Sequence, residues 1–95
     1  LPKGLGHEPR GRRYGVVVQA DELLPRSVVL VAPTSQSAAA ASFRPLIEVD
    51  DVETQVLVEQ VGAVDVRRLG RKVGHLDSIE MWAVDECLRV VLGLR

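Results

Sequence analysis

The chain has 95 residues, of which 46% are hydrophobic but only 3% aromatic, and its formal net charge is −1. That length holds one domain, residues 1–95, which is small enough to gain from self-association, and near-neutrality excludes the uniformly basic footprint of many nucleic-acid binders. The single cysteine, Cys87, excludes an internal disulfide and a cysteine-built zinc site, while no run is apolar enough to cross a bilayer and no signal-peptide pattern opens the chain, so the expectation is a cytoplasmic protein without a membrane partner.

In chain order, residues 1–13 read as a loop, because Pro2, Gly4, Gly6, Pro9 and Gly11 break any regular period. The loop is basic, with Lys3, Arg10, Arg12 and Arg13 against Glu8, and it runs into an apolar strand over 14–20 that fixes its exit. A turn over 21–25 leads to a second apolar strand, Ser27 to Ala32, stopped by Pro33. Both runs lack polar alternation, as strands covered on both faces or lining a small barrel do. Thr34 to Ser42 is a small-residue stretch that reads as a mobile loop. Phe43 to Val49 reads as a third strand, Asp50-Asp51 as a turn, and Val52 to Val61 as a fourth strand. Asp65 to Gly70 reads as one helical turn, capped by Asp65 and ended by Gly70, and Arg71 to Leu76 as a short fifth strand.

The C-terminal helix is the plainest element. Asp77 and Glu80 form a capping-box pattern, Met81, Val84, Leu88 and Val91 or Leu92 recur at helical spacing, and Gly93 is the expected stop. Ile79 and Trp82 form a second small apolar patch, and Cys87 reads as a small core residue. The sum is a mainly β chain: about five strands in a small, strongly curved barrel with a helix packed on it.

Several of these pieces together resemble the MazF/PemK toxins. They are Gly6-x-Glu8, then Gly11-x-Arg13 before a valine run ending in Gln19, then Pro33-Thr34-Ser35-Gln36. The tail continues the match with Glu59-Gln60-Val61, Val64-Asp65, Arg68 to Gly74, and Met81-x-x-Val84-Asp85-Glu86-x-Leu88. The resemblance covers nearly the whole chain, and its specificity lies in the order and spacing. It implies an SH3-like barrel and a homodimeric endoribonuclease that cuts single-stranded RNA at short motifs. It also implies a cognate MazE-like antitoxin whose acidic, otherwise disordered tail orders on contact. Members of the family usually open with one further strand, so Leu1-Pro2-Lys3-Gly4 reads as the far end of a missing first strand, with an open barrel edge beside it.

RNA cleavage of this kind needs a base for the ribose 2′-hydroxyl, an acid for the leaving 5′-oxygen and a group that steadies the phosphate charge. It requires no metal or other cofactor. The resemblance places Arg13 at the cleavage centre, where a guanidinium forks onto two phosphate oxygens; that suits it better than proton transfer, because arginine holds its proton so tightly. Thr34 matches the second active-site residue and Glu8 an acid able to act as base. His7 is a further candidate, since imidazole titrates near neutrality. Arg10, Arg12, Ser35 and Gln36 are expected to contact RNA, the arginines through phosphates. Ordinarily an arginine before a strand is a solvated charge, a Pro-Thr-Ser turn only a turn, and a His beside a Glu a surface pair.

Tyr14 is the one aromatic near enough to stack a base; it stands where the family usually has proline. Gly62-Ala63 stands where relatives often carry arginine and a hydroxyl residue, which removes a presumed RNA or dimer contact. The patch Arg67, Arg68, Arg71, Lys72 reads as an exposed turn. Glu48, Asp50, Asp51 and Glu53 read as a solvated edge with no metal spacing. Two rival functions share the fold: a non-catalytic interaction module and, more remotely, a topoisomerase poison. Cleavage of naked RNA separates the first reading from both.

Overall fold

Two valine-rich runs lie side by side at the centre of the sheet. The structure, a computed structural model, describes residues 4–8, 13–18, 28–70 and 72–93, of which 4–8 and 13 are described through their backbone pairing. Its elements are β1 (Gly4–Glu8), β2 (Arg13–Val17), β3 (Val28–Ser35), β4 (Leu46–Val49), β5 (Val52–Val56), β6 (Gly62–Asp65), β7 (Lys72–His75) and α1 (Ser78–Leu92). The strands form one antiparallel sheet in the order β4-β5-β3-β2-β1-β7, with β6 also paired to β3. A curled sheet with a C-terminal helix is the expected architecture, built from seven strands where the sequence predicts about five.

β3 is the hub. Along one edge it pairs with β2, Val17↔Val31 to Gly15↔Pro33. Along the other it pairs first with β6, Val28↔Asp65 to Val31↔Gly62, and then with β5, Thr34↔Val56 and Ser35↔Gln55. Pro33 lies inside this strand and does not stop it. Its carbonyl accepts from the Leu57 N–H at 2.8 Å. In an antiparallel ladder a residue's N–H and C=O face the same edge, so the proline's missing N–H also faces Leu57. No acceptor is needed opposite, and the neighbouring chain leaves the ladder there in a short 3-10 turn, Val58–Gln60. The single strand expected over 52–61 is therefore divided, and β6 begins beyond the break.

The predicted N-terminal loop is corrected over Gly4–Glu8, which is a strand with both edges paired. Gly4 to Glu8 matches Val17 to Arg13 on β2, and Gly4, Leu5 and Gly6 match His75, Gly74 and Lys72 on β7 across a bulge. Two glycines erase the local strand signal; pairing on both sides supplies what propensity lacks. The third predicted strand shortens to Leu46–Val49, which alternates cleanly with Ile47 and Val49 inward. The β4–β5 hairpin closes on Asp50 and Asp51, both at positive φ (50° and 63°), the backbone that two-residue hairpin turns demand and that aspartate tolerates.

The core joins Val16, Ala32, Ile47, Val49, Val56, Val58, Leu76 and Val84, with Met81, Cys87, Leu88 and Val91 of α1 packed against it. Asp77 accepts from the Glu80 N–H at 2.7 Å while Glu80 accepts from the Asp77 N–H at 3.0 Å, so the predicted capping box is present. Glu80 also accepts from the Glu48 N–H at 2.8 Å, which ties the start of the helix to β4. Gly93 ends the helix at φ 69°.

Candidate active site

Where β3 leaves β2 for β5, the sheet opens into a cleft of about 410 Å³ walled by Tyr14, Pro33, Thr34, Ser35, Gln36, Ser37, Thr54, Leu57 and Gln60. Thr34 is partly buried at its floor, and its hydroxyl donates to the Tyr14 carbonyl at 2.8 Å. Residue 14 follows Arg13, so this bond ties the threonine to the backbone beside the predicted cationic centre. Ser35 turns the chain out of the strand: its Oγ accepts from the N–H groups of Ser37 (3.2 Å) and Ala38 (3.0 Å). Gln36 is exposed on the lip.

Arg13 opens β2 and Glu8 ends β1, and the two are direct Cα partners across the hairpin; His7 is paired with Tyr14. Arg10 and Arg12 lie outside the described residues, as do Lys3 and Arg71. The fold thus brings Thr34, Ser35 and Gln36 to one cleft and pairs the backbones of Glu8 and Arg13; Thr34 meets that pair only through the backbone of Tyr14.

Tyr14 has another role than base stacking. Its side chain packs against the core, and its hydroxyl donates to Asp50 Oδ2 at 3.0 Å. It thus pins the β4–β5 turn over the end of β2. In the second basic patch, Arg67 is committed to Asp65, with side-chain bonds of 2.8 and 3.1 Å and a backbone bond of 2.9 Å. Those bonds hold the Asp65 carboxyl below its usual range and the Arg67 guanidinium above its own. Asp65 caps the turn Val66–Arg68 as predicted. Glu48, Asp50, Asp51 and Glu53 are exposed around the hairpin.

The loop beyond Gln36, read from the sequence as mobile, is held at several points. Arg44 donates to the Ala39 carbonyl at 2.8 Å, its N–H donates to Ala41 at 3.0 Å, and the Gln55 side chain donates to the Ala38 carbonyl. The Cys87 thiol donates to the Ser42 carbonyl at 3.6 Å, and partial burial pushes its pKa up. Arg44 is itself fixed by Glu59, with bonds of 2.7 and 3.1 Å; this contact, more than any other, lowers the Glu59 pKa. Nothing in sequence spacing marks Arg44, Gln55 and Glu59 as the clamp of this loop, because they meet only when β5 closes on β3.

A second cavity of about 220 Å³ lies on the other side of the seam, lined by Gly15, Val31, Gly62, Ala63, Val64, Arg68 and Leu69 together with Tyr14, Pro33 and Gln60. The last three also wall the first cleft. Among the described residues no helix is long and apolar enough to cross a membrane.

Residues 1–92 match a family model described as PemK-like, MazF-like toxin of type II toxin–antitoxin system. The chain is similar to the candidate toxin Rv3098A of Mycobacterium tuberculosis, at 43% identity over 94% of this chain and 84% of that one. It is also similar to endoribonuclease EndoA of Bacillus subtilis, at 31% identity over 95% and 84%. Among solved structures, the Mycobacterium tuberculosis toxin MazF-mt6 superposes with a TM-score of 0.83 at 17% identity, covering 100% of this chain and 99% of that one. A MazE–MazF structure from Deinococcus radiodurans superposes with a TM-score of 0.80 at 18% identity, covering 97% and 93%.

Proposed function

The chain belongs to the PemK-like, MazF-like toxins of type II toxin–antitoxin systems, and from that premise we propose that it is an endoribonuclease cutting single-stranded RNA at short sequence motifs, without a metal, by attack of a ribose 2′-hydroxyl on the adjacent phosphorus. The observation that carries this reading is the β2–β3 seam: Thr34 is bonded to the carbonyl of residue 14, next to Arg13, whose cross-strand partner is Glu8. Those three residue types supply a base and two groups that steady the phosphate charge, with solvent as the acid.

Glu8 takes the 2′-hydroxyl proton as the new P–O bond forms. Arg13 forks onto the phosphate oxygens as charge builds there. Thr34 swings its hydroxyl from the Tyr14 carbonyl to the same phosphate. The P–O5′ bond breaks, and the 5′-oxygen takes a proton from solvent while Glu8 releases the one it accepted to solvent, so that the protons balance. The products are a 2′,3′-cyclic phosphate and a 5′-hydroxyl. Glu8 is preferred to His7 as base because its strand partner is Arg13, whereas the partner of His7 is Tyr14, a residue committed to the core and to Asp50. Ser35 and Gln36 contact the RNA across the cleft lip, and Arg10 and Arg12 its phosphates.

The toxin is proposed to act in the cytoplasm as a homodimer, neutralised by an antitoxin protein. Ile79, Trp82 and Val90 recur on one face of α1 and are 78%, 66% and 75% exposed, an apolar strip of the kind that partner proteins cover. The test is incubation with a long single-stranded RNA in the presence of chelator. Discrete cuts ending in 2′,3′-cyclic phosphate, lost about 10²–10³-fold in Arg13→Ala, are expected; RNA left intact sinks the proposal. The non-catalytic module is the rival, and one observation favours it: the Thr34 hydroxyl already has an acceptor in Tyr14. That result would make the bond a strut only.

A further inference from the structure

We infer that Arg44 is a positioning residue for RNA: clamped between Ala39 and Glu59, it ties the lip of the first cleft to the wall opposite and so sets the affinity for the strand that lies there. That role presupposes the ribonuclease reading above.

The two sides of the cleft are held differently. The turn Val58–Gln60 is a fixed post: Val58 is buried in the core, the Leu57 N–H donates to the Pro33 carbonyl at 2.8 Å, and the Gln60 N–H donates to the Leu57 carbonyl at 2.9 Å. The lip has no such support from the sheet. Among the described residues, the ladder on β5 stops at Ser35↔Gln55 and resumes only at Leu46↔Gln55, so the segment 36–45 is held by side chains.

Arg44 reaches across from a fixed base. Its own N–H donates to the Ala41 carbonyl at 3.0 Å, and the carbonyl of the next residue, Pro45, accepts from the Val56 N–H at 2.9 Å. From there Nη1 donates to the Ala39 carbonyl at 2.8 Å, while Nε and Nη2 donate to Glu59 Oε2 at 3.1 and 2.7 Å. A planar guanidinium with five donors can hold a carbonyl and a carboxylate at once. The two side chains are 20% and 25% exposed, so solvent screens the pair only in part.

Among the described residues the cleft wall includes Ser37, two positions before Ala39, and Gln60, next to Glu59, but neither Arg44 nor Glu59. Arg44 therefore acts through the lip and not by touching RNA. What it supplies is preorganisation: Ser35, Gln36 and Ser37 are already ordered when the strand arrives, and the cost of ordering them does not fall on binding. Thr34 lies outside this effect, because it is held within β3 and bonded to the Tyr14 carbonyl. Loss of the brace should weaken binding and leave the chemical step intact.

Amide hydrogen exchange reads the brace without RNA. In Arg44→Ala the Ser37 and Ala38 amides, which donate to Ser35 Oγ, are expected to exchange about tenfold faster, the scale of a lost hydrogen bond to a charged group. Gln60 and Val61 of the turn should keep their rates. Equal acceleration at Gln60 and Val61 marks general destabilisation and overturns the inference.

Steady-state cleavage of a short single-stranded RNA reads its effect on the site. Arg44→Ala should raise KM about tenfold, the scale of ordering a loop on binding, with kcat unchanged, the pattern of lost binding and not of lost chemistry. Glu59→Gln is the conservative variant: both Arg44 nitrogens reach the single oxygen Oε2, an amide oxygen can accept in its place, and KM should stay at the wild-type value. Arg44→Ala/Glu59→Ala, which leaves no unpaired charge behind, should match Arg44→Ala, because one brace can be lost only once. An unchanged KM in Arg44→Ala, or strict additivity in the double variant, overturns the inference.

Binding of a 2′-O-methyl RNA, which cannot be cut by 2′-hydroxyl attack, is followed by fluorescence anisotropy in parallel. A dissociation constant raised about tenfold in Arg44→Ala, with ordinary RNA left intact by the wild type, keeps the brace and removes the ribonuclease reading. Ordinary RNA cut by wild type and variants alike at one KM removes the brace and keeps the ribonuclease reading.

Discussion

Replacing Thr34 with valine separates a strut from an active-site group. The Thr34 hydroxyl donates to the Tyr14 carbonyl at 2.8 Å in a partly buried position, and valine keeps the shape while removing the bond. A net hydrogen bond is worth about 0.5–1.5 kcal/mol. The Tyr14 backbone borders an open cleft, so water can satisfy the freed carbonyl, and the cost should fall near 1 kcal/mol. For a domain of this length that lowers the melting temperature by about 4–8 °C. It leaves the chain almost wholly folded at 25 °C if its stability is the usual ~5–15 kcal/mol, so unfolding cannot account for a large loss of activity. A hydroxyl that steadies the phosphate in the transition state contributes about 10²–10³ in rate. The assay is single-turnover cleavage of a short fluorogenic RNA well below the melting transition, paired with thermal denaturation of the same samples. Thr34→Val should lose about 10²–10³-fold, and Thr34→Ser, which retains the hydroxyl, should recover most of it. A melting temperature lowered as calculated, with cleavage within a few-fold of wild type, refutes the catalytic assignment.

Gly15→Ala forces its new methyl against Val31, 2.6 Å from Cγ1, and should cost about 1–3 kcal/mol; urea midpoints should show that Val31→Ala relieves most of that cost in the double mutant, and strict additivity would show that the clash is not what matters. The Arg44 guanidinium holds the folded Glu59 carboxyl below its ordinary 4.5, so as pH falls the unfolded chain takes up this proton first. The contribution is complete above about pH 4.5 and is lost as pH drops through the lower folded value. Calorimetry from about pH 5 to pH 3 should give a shallower fall in melting temperature for Glu59→Gln than for wild type, and parallel falls would exclude the pair as a source of the acid sensitivity.

What was legible in the sequence was whatever depends on near neighbours. Asp77 and Glu80 announce the helix start because both halves of the capping box lie within one turn. The inward pair Ile47 and Val49 is readable from alternation alone. The Asp50-Asp51 turn and the Asp65 cap are equally local. The strand Gly4–Glu8 was not legible, because it is stabilised by β2 on one side and β7, nearly seventy residues on, along the other. Likewise Arg44 looks like one more charge until Glu59 and Ala39 close around it. At the candidate site, Thr34, Ser35 and Gln36 could be named from a short motif. The use of Tyr14 as a pin could not, since its partner Asp50 lies thirty-six positions away.

Pro33 links these two kinds of information, and it explains why there is a site at this point of the sheet. Read locally, a proline after an apolar run ends a strand. In the fold it stays within β3, bonded through its carbonyl to Leu57, and what it ends is the neighbour's ladder. The chain opposite leaves in the turn Val58–Gln60 and rejoins β3 only at Gly62. Leu57 and Gln60 are thereby set back as the wall of the first cleft, and Gln60 and Gly62 as part of the wall of the second. Both cavities border the strand at Pro33, where the ladder opposite gives way to the turn. The residue that follows the proline, Thr34, is carried to the floor of the opening this creates. The Pro33-Thr34 pair thus specifies a gap in the ladder together with the hydroxyl that faces it, a geometric requirement that a turn-forming proline alone would not impose.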